Sequence, residues 1–287
     1  MLAAVNEGAW GNGRRALGVL VAGALILGVC GSLLSRRGVL DIPFARLRGT
    51  NLVATRGAPT LWIIAHLDSK SQPVPIIVRT LAIIASMIIL GVAMGVAVAQ
   101  VVVPMPIEVW FALAMASVLV TLPVMASVVG TRSPGALDNA SGVATLLRVA
   151  ELLPRELPIG VLLTSAEELG LAGARAWARE ASPATAINID GVDDIGPIRL
   201  VYTGRKPAAL LALLGPAWPS PSRLPPGVLM DGVAFADAGW EVLNISKGGW
   251  RTVSRIHTRG DDLGHLNGSG AEEVAATLAG AIAASPR

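Results

Sequence analysis

The chain has 287 residues, 53% hydrophobic and 15% charged, with a net charge of +3, one cysteine and three histidines. Soluble domains usually carry about 25% charged residues, and disorder needs low hydrophobicity with high net charge, so neither a disordered chain nor an ordinary soluble enzyme fits. The lone Cys30 excludes an internal disulfide framework and a thiolate zinc site, and the small basic excess gives no indication of nucleic acid.

Taken in chain order, the first long apolar run covers 16–35 and is bracketed by Arg14–Arg15 and Arg36–Arg37. A bilayer core takes about 20 apolar residues as helix. Leu27-Gly28-Val29-Cys30 only loosely matches a cleavage box, because Val29 stands where a small residue is wanted, so the run reads as an uncleaved anchor within an N-terminal segment 1–48. A short apolar run at 60–65 reads as a buried strand. Two further spans, 81–103 and 109–130, are joined only by 104–108 and read as a transmembrane hairpin (80–131) whose two ends lie on one side of the membrane.

The remainder, 49–79 and 132–287, reads as one water-facing domain. Strands are expected at 158–164, 185–189, 198–202 and 242–245, and helices at 140–153, 169–179, 207–214 and 271–283. A Pro/Ser-rich loop is expected at 216–226. Strands alternating with helices imply an α/β fold, a mostly parallel mixed sheet covered by helices on both faces.

Acids and imidazoles fall just past these strands: His66 and Asp68 after the first, Glu167 and Glu168 after the second, and Asp190 ending the third. Asp138-Asn139 opens a helix, and His257 and Asp261 lie in a late loop. Ligands bind outside the carboxyl ends of strands in open α/β sheets, so one crevice is expected to collect them. Each has a plainer reading alone, Asp138-Asn139 as a helix cap and Glu167-Glu168 as a solvated pair favoured by a helix dipole. Together, two imidazoles and several carboxylates without a thiolate form a donor set for zinc or a similar divalent ion. So many acids in one cleft need a cation to ionise together, and two ions bridged by a carboxylate would supply it.

The order and spacing of Gly49-Thr-Asn-Leu-Val-Ala54, Ala65-His-Leu-Asp-Ser69, Pro134-Gly-Ala-Leu-Asp-Asn-Ala-Ser-Gly-Val-Ala144, Ser165-Ala-Glu-Glu-Leu-Gly-Leu-Ala-Gly173, Ile189-Asp190 and His257-Thr-Arg-Gly-Asp261 resemble the co-catalytic zinc aminopeptidases, to which glutamate carboxypeptidase and glutaminyl cyclase are related. The resemblance implies two Zn²⁺, with Asp138 bridging, His66 and Asp190 completing one site, and Glu168 and His257 the other. It implies Glu167 as the general base. Asp68 would accept the far ring N–H of His66, Asp261 would do similar work near His257, and the Asp138–Asn139 peptide would be cis.

Two departures stand out. A membrane hairpin separates the first two motifs, and the family's Asp-His-x-x-Phe element appears as Asp231-Gly-Val-Ala-Phe235. The tyrosine that often precedes that element is missing, the only tyrosine being Tyr202, so oxyanion stabilisation must come from elsewhere. His265 matches no ligand position and reads as a surface residue.

The expected protein is a membrane-anchored metallopeptidase, probing peptide or other amide substrates, with a lipid bilayer as its other partner. Aminopeptidase action is the leading expectation. Carboxypeptidase or cyclase chemistry and a catalytically silent receptor or scaffold stay open, as does the oligomeric state. Arg36, Arg37, Arg46, Arg48, Arg56, Lys70 and Arg79 lie between the first two spans, while 104–108 has no basic residue. By the positive-inside rule this puts the catalytic domain on the cytoplasmic side of a plasma membrane, against the opposite pull of Arg14–Arg15.

Overall fold

A computed structural model describes residues 1–37, 48–225 and 227–285. Residues 38–47, with Arg46, and Pro226 lie outside the described residues. The chain divides into two compact units, one of helices (1–37 and 72–129) and one built on a sheet (48–71 and 130–285).

The helical unit contains α1 (Leu2–Ala9), α2 (Gly13–Arg37), α3 (Ile76–Ala99) and α4 (Ile107–Met125). α1 was not anticipated from the sequence. Both hairpin helices start earlier than the apolar runs do, because Pro75 and Pro106 end the preceding extended chain and open a helix without needing an N–H partner. Just past the end of α3, Gln100 donates to the Gly8 carbonyl (2.7 Å) and accepts from the Trp110 indole (2.6 Å). Gly8 permits this junction, since a Cβ there would fall 2.1 Å from the Trp110 ring. A small core of Ala4, Ala16, Leu20, Ala93, Ala97 and Trp110 holds the unit together. Elsewhere its helices turn large apolar side chains outward, among them Leu25, Met87, Ile88 and Phe111, each more than 60% exposed. Gly13–Leu33, Ile76–Ala99 and Ile107–Met125 are long and apolar enough to cross a membrane.

The sheet unit begins with β1 (Leu52–Thr55) and β2 (Leu61–His66), and after the insertion continues with α5 (Ser141–Leu152), β3 (Ile159–Thr164) and α6 (Ala172–Glu180). Then follow β4 (Thr185–Val192), β5 (Ile198–Tyr202), α7 (Ala208–Leu214), β6 (Ser222–Arg223), α8 (Asp231–Asp237), β7 (Glu241–Lys247), α9 (Trp250–Arg255) and α10 (Ser269–Ala284). The strands form one seven-stranded sheet, ordered β1-β3-β2-β4-β7-β5-β6. β3, β2, β4 and β7 run parallel, whereas β1 on β3 and β5 on β7 are antiparallel.

All six residues of β2 are buried, the continuous run expected of a central strand covered on both faces. Alternation along the strand sends Ile63 to a core with Leu146, Ile187 and Leu278, and Trp62 and Ile64 to a second core with Leu162, Phe235 and Trp240. The first core lies under α5, α7 and α10, the second under α6 and α8. Three expectations need correction. β6 interrupts the loop expected at 216–226, α6 starts three residues late because Glu167–Leu169 forms its own tight turn, and β4 continues past Asp190 through a register shift between Ile189 and Val192.

The insertion leaves and re-enters the sheet unit at one point. Ser71 and Gly130 exchange two backbone hydrogen bonds of 2.8 Å each. His66 and Asp138 therefore belong to the same unit despite the helices between them.

Candidate active site

The parallel strands deliver His66, the Glu167 turn and Asp190 to their carboxyl ends, where β2 and β3 are in register at His66 and Thr164. His66 is 1% exposed. Its Nδ1 lies 3.0 Å from the Asp68 carbonyl, which orients the ring so that Nε2 faces Asp138 Oδ1 at 3.1 Å and Asp190 Oδ1 at 3.5 Å.

Asp138 sits in the turn Ala136–Ala140 that opens α5, and its peptide bond to Asn139 is cis. The surrounding motif is stitched to β4. Asn139 donates to the Ile189 carbonyl (3.0 Å) and accepts from Gly142 and Gly191 N–H groups (3.1 Å each). Ser141 Oγ donates to Leu137 O (2.7 Å) and accepts from Val192 N–H (2.9 Å). Gly142 leaves room for this: a Cβ there would fall 2.1 Å from Asn139 Oδ1. The Asp-Asn-x-Ser-Gly pattern thus fixes Asp138 against the strand carrying Asp190. From that position Asp138 reaches both imidazoles, with Oδ1 toward His66 and Oδ2 3.1 Å from His257 Nε2.

The acidic pair occupies a turn held from two sides. Asp68 Oδ1 accepts from Glu167 N–H (2.9 Å) and Oδ2 from Glu168 N–H (3.1 Å). Asn51 accepts from Ser165 N–H (3.0 Å) and donates to Gly173 O (2.9 Å). Glu168 Oε1 lies 2.9 Å from His257 Nε2, while Oε2 lies 2.5 Å from Lys70 Nζ. Glu167 is buried.

Charge is poorly balanced in this cleft. Burial opposes protonation of both histidines, but the nearby carboxylates of Asp138, Asp190 and Asp68 outweigh it at His66, and those of Asp138 and Glu168 at His257, so both pKa values rise. Burial also resists the charge on Asp138, yet the His257 and His66 rings hold it below the usual carboxylate range. Glu167 moves the other way: burial, then Asp190, Asp231 and Glu168, push it well above that range against the pull of His66. Asp190 rises for the same reason, through burial and the Asp138 and Glu168 charges.

Among the described residues the clustered donors fall into two groups, His66–Asp138–Asp190 and Asp138–Glu168–His257, with the donor atoms of each group within 4.8 Å of one another. Each pairs one imidazole with two carboxylate oxygens, a set suited to a divalent cation. Glu168 Oε1 is buried and makes no hydrogen bond, as expected of an atom kept for a metal. The residues present fit such ions.

Two orienting roles differ from expectation. The Asp68 carboxylate is 3.7 Å from His66 Nδ1 and instead holds the Glu167–Glu168 backbone, leaving His66 to the Asp68 carbonyl. Asp261 accepts from the N–H groups of Leu137 (2.5 Å) and Asp138 (3.3 Å) rather than from His257, whose Nδ1 is without a hydrogen bond. His265 is exposed. Asn51, Asn139, Ser141 and Lys70 were not singled out as site residues, although the first three lie inside the quoted motifs.

The sequence profile of Peptidase family M28 matches residues 47–282. No curated protein matches the chain. Among solved structures it is similar to a leucine aminopeptidase precursor from Bacteroides thetaiotaomicron, with 15% identity and a TM-score of 0.54 over 90% of this chain and 89% of that one. LapA aminopeptidase from Legionella pneumophila gives 16% identity and a TM-score of 0.50 over 99% and 74%. BSAP, a zinc aminopeptidase from Bacillus subtilis, gives 18% and 0.48 over 81% and 49%, so this chain spans about half the length of that enzyme. These likenesses concern the fold, while the profile covers most of the chain together with the acid and imidazole cluster just described. The chain belongs to peptidase family M28.

Proposed function

We propose that the chain is a zinc-dependent exopeptidase tethered to a membrane by three helices, acting as an aminopeptidase on short peptides. One observation carries the reading of the centre: the two oxygens of Asp138 face two different imidazoles, each 3.1 Å away. In this reading His66 and Asp190 would hold one zinc ion and Glu168 and His257 a second, with Asp138 belonging to both donor groups. Bound ions of this kind acidify water and polarise a scissile carbonyl.

The remaining work falls to the chain's own groups. Glu167 is the general base, taking a proton from water at its carboxylate and delivering it to the leaving amine. Its raised proton affinity suits the second half of that task, and its burial keeps bulk water from competing. Asp68 aims the acidic pair by holding both backbone N–H groups, and Asp261 aims Asp138 in the same way.

The test is metal analysis of the full chain in detergent with a screen of aminoacyl and peptide amides. Two equivalents of zinc and release of N-terminal residues are expected. Release of C-terminal residues or cyclisation of N-terminal glutamine would move the reading to another amide reaction, and a metal-free inert chain would end it. Glu167→Gln should cut turnover by about 10²- to 10⁴-fold with zinc content unchanged. Unaltered turnover would remove the base assignment.

A further inference from the structure

Lys70 brings a cation of the sheet unit into side-chain contact with this acidic cluster. Its Nζ lies 2.5 Å from Glu168 Oε2, with side chains only 20% and 6% exposed. The lysine is not a loose surface arm, because its loop is pinned on either side. Two residues earlier, Asp68 binds the backbone N–H groups of Glu167 and Glu168, and its carbonyl meets His66. One residue later, Ser71 pairs with Gly130 through two backbone bonds of 2.8 Å, and its Oγ accepts from Arg132 N–H (2.9 Å). The same short loop therefore holds Glu168 by its backbone and by its carboxylate.

The two oxygens of that carboxylate have different surroundings. Oε2 has the ammonium. Oε1 is buried 2.9 Å from His257 Nε2 without a hydrogen bond. We propose that Lys70 is a positioning residue: it holds Glu168 by Oε2, so that Oε1 alone is presented to the group formed by Asp138 and His257. The proposal rests on the metallopeptidase reading above.

An ammonium so close to a metal group acts in two opposite senses. It repels an incoming cation, and it fixes a carboxylate that would otherwise sample several rotamers in a buried setting. Positioning prevails here: the Lys70 charge is already spent on a short ion pair with Glu168, and groups that orient metal-binding side chains typically contribute about 10- to 100-fold in metal affinity. The effect is local, since Lys70 pairs with Glu168, which belongs to the Asp138–His257 group and not to the His66–Asp190 pair.

The experiment is zinc titration of the full-length chain in detergent against a chromophoric chelator, comparing the original protein with Lys70→Met, Lys70→Gln and Lys70→Arg. Loss of the ammonium in Lys70→Met should weaken one of two zinc equivalents about 10- to 100-fold and leave the other within about threefold. Lys70→Arg, which keeps a cation, should restore it, and the thermal midpoint of the zinc-free protein should stay near that of the original chain. Lys70→Gln gives the same readout if Lys70→Met does not fold. Cobalt(II) in place of zinc gives an independent signature, as its visible spectrum should change in Lys70→Met and return in Lys70→Arg. Unchanged or tighter binding in Lys70→Met, equal weakening of both equivalents, or an Arg variant as weak as the Met variant would each overturn the proposal. An original chain that binds no zinc would instead overturn the metallopeptidase reading.

Discussion

Asp231 begins α8 with its carboxyl fully buried, one oxygen accepting the Thr164 hydroxyl and the other, Oδ1, without a hydrogen bond. Burial, reinforced by the Asp190 and Asp68 charges and opposed by His66 and the Thr164 bond, pushes its pKa up to about 7 from 3.8. The folded chain therefore keeps a proton on Asp231 between about pH 4 and pH 7, where the unfolded chain has lost it. More protons bound by the folded state means that stability falls as pH rises through this window and levels off above it. At about 1.4 kcal/mol per pH unit the loss is on the order of 4 kcal/mol. Asp231→Asn keeps an acceptor for Thr164 without the ionisation. In zinc-free protein, its thermal midpoint should fall less than the original chain's between pH 4.5 and pH 8, and equal slopes would show that Asp231 is ionised at neutral pH at no cost. At this scale the sequence singled out the acids and imidazoles that the fold gathers into two donor groups, because their types and order are distinctive. It could not identify what each carboxylate accepts from: Asp68 and Asp261 were matched to imidazoles, whereas most of their bonds go to backbone N–H groups, which every residue but proline offers and no motif records.

Among the elements, α8 and β7 meet at a matched pair. A Cβ at Gly232 would lie 2.2 Å from Asn244 Oδ1, closer than atoms can approach. Asn244 has little freedom to yield, since its Oδ1 accepts from Asn188 (3.1 Å) and its Nδ2 donates to the Val201 carbonyl (3.1 Å). This explains the departure in Asp231-Gly-Val-Ala-Phe235: any larger residue at 232, histidine included, collides with a side chain tied to both neighbouring strands. Gly232→Ala should destabilise the zinc-free protein by about 1–3 kcal/mol, read as a lower thermal midpoint. Adding Asn244→Ala should cost less than the sum of the two single changes. Strict additivity would mean the pair is not in contact. Long apolar strands such as β2 and strongly periodic helices such as α10 were legible because burial on two faces leaves a continuous hydrophobic run. β6, two residues long, and α9, which follows Gly248-Gly249, carry too few side chains to show a period. α8 was hidden by its small residues.

For the molecule as a whole, the decisive feature is an insertion that closes on itself. Residues 72–129 leave the sheet unit beside Ser71 and return beside Gly130, and the chain reverses between α3 and α4 within 100–106. On the membrane-tethered reading proposed above, two spans joined by so short a turn would bring both outer ends of the hairpin to one face of a bilayer. Charge gives the side to be expected. Arg48, Arg56, Lys70 and Arg79 precede or open the hairpin, and the turn at 104–108 has no basic residue. Basic residues near span ends favour the cytoplasm, so the predicted arrangement has the sheet unit inside and the turn outside. Arg14–Arg15, ahead of the first span, pull the other way, but two arginines oppose a larger cluster on the far side of that span. A phosphatase active only outside the cytoplasm should be silent when fused behind the last residue and active when inserted at 103–104. A fluorescent protein that matures only in the cytoplasm should show the reverse. Strong phosphatase activity from the C-terminal fusion would turn the predicted orientation over, and with it the side of the membrane on which the proposed substrates would have to be sought.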